Sequence, residues 1–199
     1  AGVTLKKGAT MGTASVDVGQ TDSNGVIQTF HAWGNSWDKS MPRWRSVKAR
    51  PMLHITTRAD SGEELITPKQ IARGVGDDYL IRINKISASR NLRMYIRPLG
   101  EPNRCLNYYA GVDCSGNVRG GSYSYGWYKQ AFRRIAIITR GGAKRGFINA
   151  RLRDLGLPKV QKTGDAKRLV GVLDERDVAD AVRDHDFVAD LVVQRVGDV

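Results

Sequence analysis

What most constrains the fold of this chain is a rhythm: short apolar runs at residues 8–16, 25–33, 50–57 and 92–99 alternate with stretches of helical character. Such alternation is the pattern of parallel strand and helix units, in which each strand is followed by a helix that returns the chain to the same sheet. The second run, GVIQTFHAW, is rich in β-branched and aromatic residues and ends in the turn residues GNS. The third, RPMLHITT, leads into the loop RADSGEELI, and the fourth, LRMYIRPL, into GEPNRCLNYYAG.

The helices announce their ends. Thr67, Pro68 and Gln70 form a capping box with proline at the first helical position. Glu63 and Glu64 just before it are read as helix-start charges favoured by the dipole. Two glycines in RGVGDD interrupt the helix, which resumes through YLIRINKISAS. In SYGWYKQAFRRIAIITR, Trp127, Ala131, Ile135 and Ile138 share one helical face, and Gly141 and Gly142 stop it. A shorter helix, FINARLRDLGLP, ends at Gly156 and Pro158. Four strands in this alternation are about half of an eight-fold barrel. The expected class is therefore α/β, of the (β/α)8 TIM-barrel type, truncated after about four units, with residues 1–162 as the N-terminal half.

Residues 163–199 differ in composition. Nine of the last 35 are valine and eight are aspartate, and Val178, Val182, Val188, Val192 and Val196 fall near one helical stripe. An amphipathic helix is one expectation; a non-native tail read from a shifted frame of G- and C-rich codons is the other. The chain carries a net +12, and because residues 165–199 carry net −4 the first 164 residues carry +16. A positive surface of that size invites an anionic partner. Yet no RNA-binding strand motif, zinc finger or basic helix with heptads accompanies it, so a solvated basic surface is expected rather than nucleic-acid binding.

Length and composition set the remaining bounds. A chain of 199 residues can bury a real core, and no apolar run of about 18 residues is present to span a bilayer. His31, His54 and His185 are scattered, so no metal and no cofactor is expected. Cys105 and Cys114 lie nine apart: a small disulfide loop in an exported protein, two thiols in a reducing cell. The N-terminal AGVTLKKG has no signal pattern, so a signal was either removed or never present.

The chemistry centres on Glu101. In parallel strand and helix barrels the active face is built from strand C-terminal ends and the loops after them. Glu101 stands just past the fourth strand. RPLGEPN, with Arg97, Pro98, Leu99, Glu101 and Asn103, followed by aromatics and by YGWYKQAFRRI, resembles the fourth-strand signature of glycoside hydrolase family 26. That family comprises β-mannanases and related β-glycanases on the eight-fold β/α barrel. The resemblance spans residues 1–160 in organisation and some ten positions in motif.

It implies hydrolysis of O-glycosidic bonds in a β-linked polysaccharide by a retaining mechanism, in a secreted protein. One carboxyl protonates the leaving oxygen, and a second, about 5–5.5 Å away, traps the oxocarbenium-like centre. By the resemblance Glu101 is the acid/base, and burial beside aromatics is expected to raise its pKa. Arg97 would brace it, Asn103 would touch a sugar hydroxyl, and Trp33, Trp37, Tyr108, Tyr109 and Trp127 would stack on sugar rings. Gly100 stands where mannanase-type members carry histidine, so mannan specificity does not carry over. The family's nucleophile comes from the seventh strand, beyond the four strands read here. The chain alone is therefore expected to lack turnover and to self-associate through open barrel edges. The competing readings are a non-catalytic carbohydrate-binding protein and a basic nucleic-acid-associated protein.

Overall fold

The structure, a computed structural model, describes residues 14–15, 26–36, 50–59, 61–89, 94–140, 145–160 and 194–196. Five strands form one sheet in the order β1 (Ala14–Ser15), β2 (Val26–His31), β3 (Arg50–Ile55), β4 (Met94–Pro98) and β5 (Gln194–Val196). The first four are parallel, each beside its predecessor in sequence, and β5 lies antiparallel on β4 with Val196 opposite Met94. Three expected strands thus match in place; of the first, the described part is Ala14–Ser15. Of the tail at 163–199, expected to be helical or non-native, Gln194–Val196 is strand and Val196 pairs with β4, so it does not continue a helical stripe; 163–193 and 197–199 lie outside the described residues. So does Trp37.

Side chains alternate across a strand, and the register assigns them to two faces. Phe30 is opposite His54 and His54 opposite Arg97, while Leu53 is opposite Ile96 on the other face. Leu53, Ile55, Met94 and Ile96 are fully buried against the helices. The first face is different in kind: it carries Gln28, His54 and Arg97, and Phe30 there is 59% exposed. Polar groups concentrated on one side of a parallel sheet need partners from neighbouring strands, and these residues find them in one another.

The helices follow their sequence signals. At α1 (Pro68–Ala72) both capping-box bonds form: Gln70 N–H donates to Thr67 Oγ1 and Thr67 N–H to Gln70 Oε1. Gly74 and Gly76 take positive φ, +94° and +83°, and separate α1 from α2 (Asp77–Ser89). Gly76 is required for a second reason, because a Cβ there would lie 2.7 Å from Trp33 Nε1. The third helix, α3 (Tyr125–Arg140), buries Tyr128, Ala131, Ile135 and Ile138, and α4 (Arg145–Asp154) buries Ile148 and Leu152. Arg134 lies on the buried face of α3, wholly enclosed. Its Nε and Nη2 donate to the Asp77 carboxylate at 2.8 and 2.6 Å, and Nη1 donates to Pro158 O at 2.8 Å. One guanidinium thereby ties α2, α3 and the segment after α4.

Candidate active-site loop after β4

Connections between elements usually span about 4–6 residues, and a longer one stays ordered only where something holds it. Residues 99–124, from the end of β4 to α3, are such a case, with one short 3-10 turn at Gly121–Tyr123. Cys105 and Cys114 are joined by a disulfide. Arg119 donates to the carbonyls of Cys105, Asn107 and Tyr108 at 2.9, 3.3 and 3.0 Å. Asp113 Oδ1 accepts from the amides of Ser115 and Asn117, both at 2.9 Å. Those bonds to Asn117, side chain and backbone, hold the Asp113 carboxyl below its ordinary range.

The chain leaves β4 in an unusual conformation. Leu99 and Glu101 both take left-handed backbone, φ 48° and 59°, which costs a non-glycine residue about 1–3 kcal/mol. Three side chains hold it there. Tyr128 Oη donates to Leu99 O at 2.9 Å, Tyr109 Oη to Gly100 O at 2.6 Å, and Asn107 Nδ2 to Glu101 O at 2.9 Å. Burial pushes the phenols of Tyr109 and Tyr128 far above their ordinary values, so both remain donors.

Glu101 is half-exposed, its side chain 41% accessible. Oε1 lies 3.5 Å from Arg97 Nη1 and Oε2 lies 3.4 Å from Arg104 Nη1. Its neighbours are therefore two guanidiniums, not the aromatic surround expected from the sequence. Behind Arg97 stands His54, whose Nδ1 is 3.4 Å from Arg97 Nη1 and 3.3 Å from Gln28 Nε2. Both of those groups can only donate, so Nδ1 is the acceptor and the ring is neutral. Burial, then the Arg97 charge, lower the His54 pKa to about 4 against the opposing pull of Glu101. Gly100 is needed for this packing: a Cβ there would lie 2.7 Å from Arg97 Cζ and 3.1 Å from His54 Cε1.

The sequence-derived site residues divide. Glu101, Asn103 and Tyr108 share the loop after β4, with Asn103 and Tyr108 exposed, while Arg97 stands within β4 itself. Tyr109 is 1% exposed and spends its hydroxyl on the backbone, so it braces the loop and offers no stacking face. Trp33 is buried against Tyr79, ring centroids 5.1 Å apart. Trp127 packs toward α1, with Arg73 and Lys69 over its ring at 5.4 and 5.8 Å. It lines a cleft of about 470 Å³ with Ala72, Gln130 and Leu157, apart from the Glu101 loop.

Glu64, expected from the sequence to be a helix-start charge, has a different role. It is not in the first turn of α1; its backbone forms an isolated antiparallel β-bridge with that of Arg58 within the β3–α1 loop, and its Oε2 accepts from Tyr123 Oη at 2.5 Å. Oε1 is shielded from solvent with no hydrogen bond among the described residues. Burial raises its pKa, and the bond pushes Tyr123 up to about 12. The two residues are 59 apart in the chain, so no local pattern links them. Among the described residues no group of three His, Cys, Asp or Glu could hold a metal, and no helix is long and apolar enough to cross a membrane.

Strain at Glu101 yields a direct expectation. Glu101→Gly removes the left-handed cost and loses only solvent-screened ion pairs, so stability should rise by about 0.5–1 kcal/mol in urea unfolding. A fall in stability would mean that the ion pairs outweigh the strain. No model of a known protein family matches the chain, and no curated protein matches it.

Proposed function

We propose that Glu101 is the acid/base carboxyl of a glycosidase-type site of the glycoside hydrolase family 26 kind, acting on a β-linked polysaccharide, on a (β/α)8-barrel plan. The observation that carries this reading is the backbone at Glu101: a non-glycine residue held left-handed at the C-terminal end of a parallel strand by three buried or half-buried side chains. Strain maintained at such cost is characteristic of residues whose position matters for function. Arg97 supports the reading as the brace between Glu101 and neutral His54, and Asn103 and Tyr108, exposed on the loop that carries Glu101, offer an amide and an aromatic ring to a sugar. The disulfide favours export, since such bonds persist in oxidising compartments.

In this reading Glu101 delivers its proton to the leaving oxygen while a second carboxylate about 5–5.5 Å away attacks the anomeric carbon. The partners of Glu101 among the described residues are arginines, and the half-buried Glu64 is committed to Tyr123. The chain by itself should then bind glycans without turning them over. Affinity electrophoresis against β-mannan, mixed-linkage β-glucan and xylan, with reducing-sugar release in parallel, tests this. Expected are retardation by at least one glycan at low and at high salt, no turnover, and unchanged retardation in Glu101→Gln. Retardation that vanishes with salt would favour a polyanion partner instead, and turnover abolished by Glu101→Gln would show that this chain supplies its own nucleophile.

A further inference from the structure

The loop that holds Glu101 is also the loop that the disulfide closes. Asn107 and Tyr109, which bond the carbonyls of Glu101 and Gly100, both lie between Cys105 and Cys114. Arg119 fastens the same arc from outside, through the carbonyls of Cys105, Asn107 and Tyr108. Glu101 O also accepts the Arg104 amide at 3.0 Å, immediately before the first cysteine. Cys114 is exposed and Cys105 half-exposed, so the bond is accessible to a small thiol.

We infer that Asn107 and Tyr109 are positioning residues for Glu101, and that the Cys105–Cys114 bond keeps them in place, so that opening it releases the Glu101 backbone from its left-handed conformation. This rests on the reading of Glu101 as the acid/base. The chemistry balances with a dithiol as reductant. One thiolate attacks a cystine sulfur to give a mixed disulfide and a cysteine thiolate, and the second thiol closes on the first. Two electrons and two protons pass to Cys105 and Cys114, and the reductant leaves as its cyclic disulfide. The unstrained alternative is always available to Glu101, because a freed loop regains the ordinary β or α backbone. A secreted protein reaching a reducing compartment would thus lose the geometry of its carboxyl before it lost its fold.

Backbone NMR on the labelled full chain tests this without any substrate. In the oxidised protein Glu101 should show the strong intraresidue amide-to-Hα Overhauser signal of left-handed backbone, and the Arg104 amide should exchange slowly. Dithiothreitol should abolish that signal and speed Arg104 exchange about tenfold or more, while amides of β3 and β4 keep their protection. Tyr109→Phe, with the disulfide intact, should weaken the same signal. Persistence of the signal after reduction and in Tyr109→Phe would overturn the inference, and so would equal loss of protection throughout β3 and β4, which would make the bond a global staple. If the clamp is found but the chain binds no glycan, the functional reading fails and the positioning role stands.

Discussion

Arg134→Met will destabilise the protein by about 3–5 kcal/mol, because it removes the guanidinium that engages both oxygens of the buried Asp77 carboxylate. The guanidinium is wholly buried and meets Asp77 at 2.6 and 2.8 Å, with both carboxylate oxygens engaged. It also donates to Pro158 O at 2.8 Å and Lys159 O at 3.3 Å, at the exposed end of the segment after α4. Asp77→Leu should cost a similar amount, for the mirror-image reason that a buried cation is left behind. The double variant should then be less destabilised than the sum of the two, by about 2 kcal/mol or more, since neither charge remains. Urea midpoints for the four proteins measure this. Additive losses would show that the pair contributes nothing beyond packing.

The second large effect is acid sensitivity. His54 is neutral in the fold, its pKa lowered from 6.5 to about 4 by burial and by Arg97. Above about pH 6.5 neither state binds the proton and stability is whole. As pH falls from there toward 4 the unfolded chain takes the proton first, so stability is lost, by about 3 kcal/mol at the order-of-magnitude level for a shift of this size. Glu64 works in the opposite sense: its raised carboxyl contributes most at low pH and loses that contribution as pH rises through its folded value. The discriminating measurement is therefore a comparison of urea midpoints near neutral pH and near pH 4 for the native chain and His54→Gln. A glutamine keeps an acceptor for Arg97 and Gln28 but cannot titrate, so the variant should lose most of the acid dependence. Equal slopes in the two proteins would remove His54 as the cause.

These two sites differ in how far the sequence reveals them. Arg134 sits between Ala131 and Ile138 on the α3 stripe, a charged residue on an apolar helical face, and that is a local signal for a buried ion pair. Its partner is not local, because Asp77 reads as an ordinary acidic residue at the first turn of α2. His54 alternates with Leu53 and Ile55 along β3, which places it opposite the helix-facing core, but its contact with Arg97 depends on strand order and register.

What the sequence by itself determined were the properties that arise within a few residues: three of the strands, the capping box at Thr67, the glycine break before α2, the apolar face of α3, and the position of Glu101 at a strand end. Each follows from periodicity or turn chemistry that acts locally. Tertiary structure alone decided the rest. It turned Tyr109 from a sugar platform into a brace, buried Trp33 against Tyr79, sent Trp127 toward α1, and paired Glu64 with Tyr123. It also replaced the aromatic surround of Glu101 with two arginines. The physical reason is common to all of these. A side chain's role is fixed by which carbonyl, ring or charge it meets, and partners such as Trp33 and Tyr79 or Glu64 and Tyr123 meet only once the chain has folded.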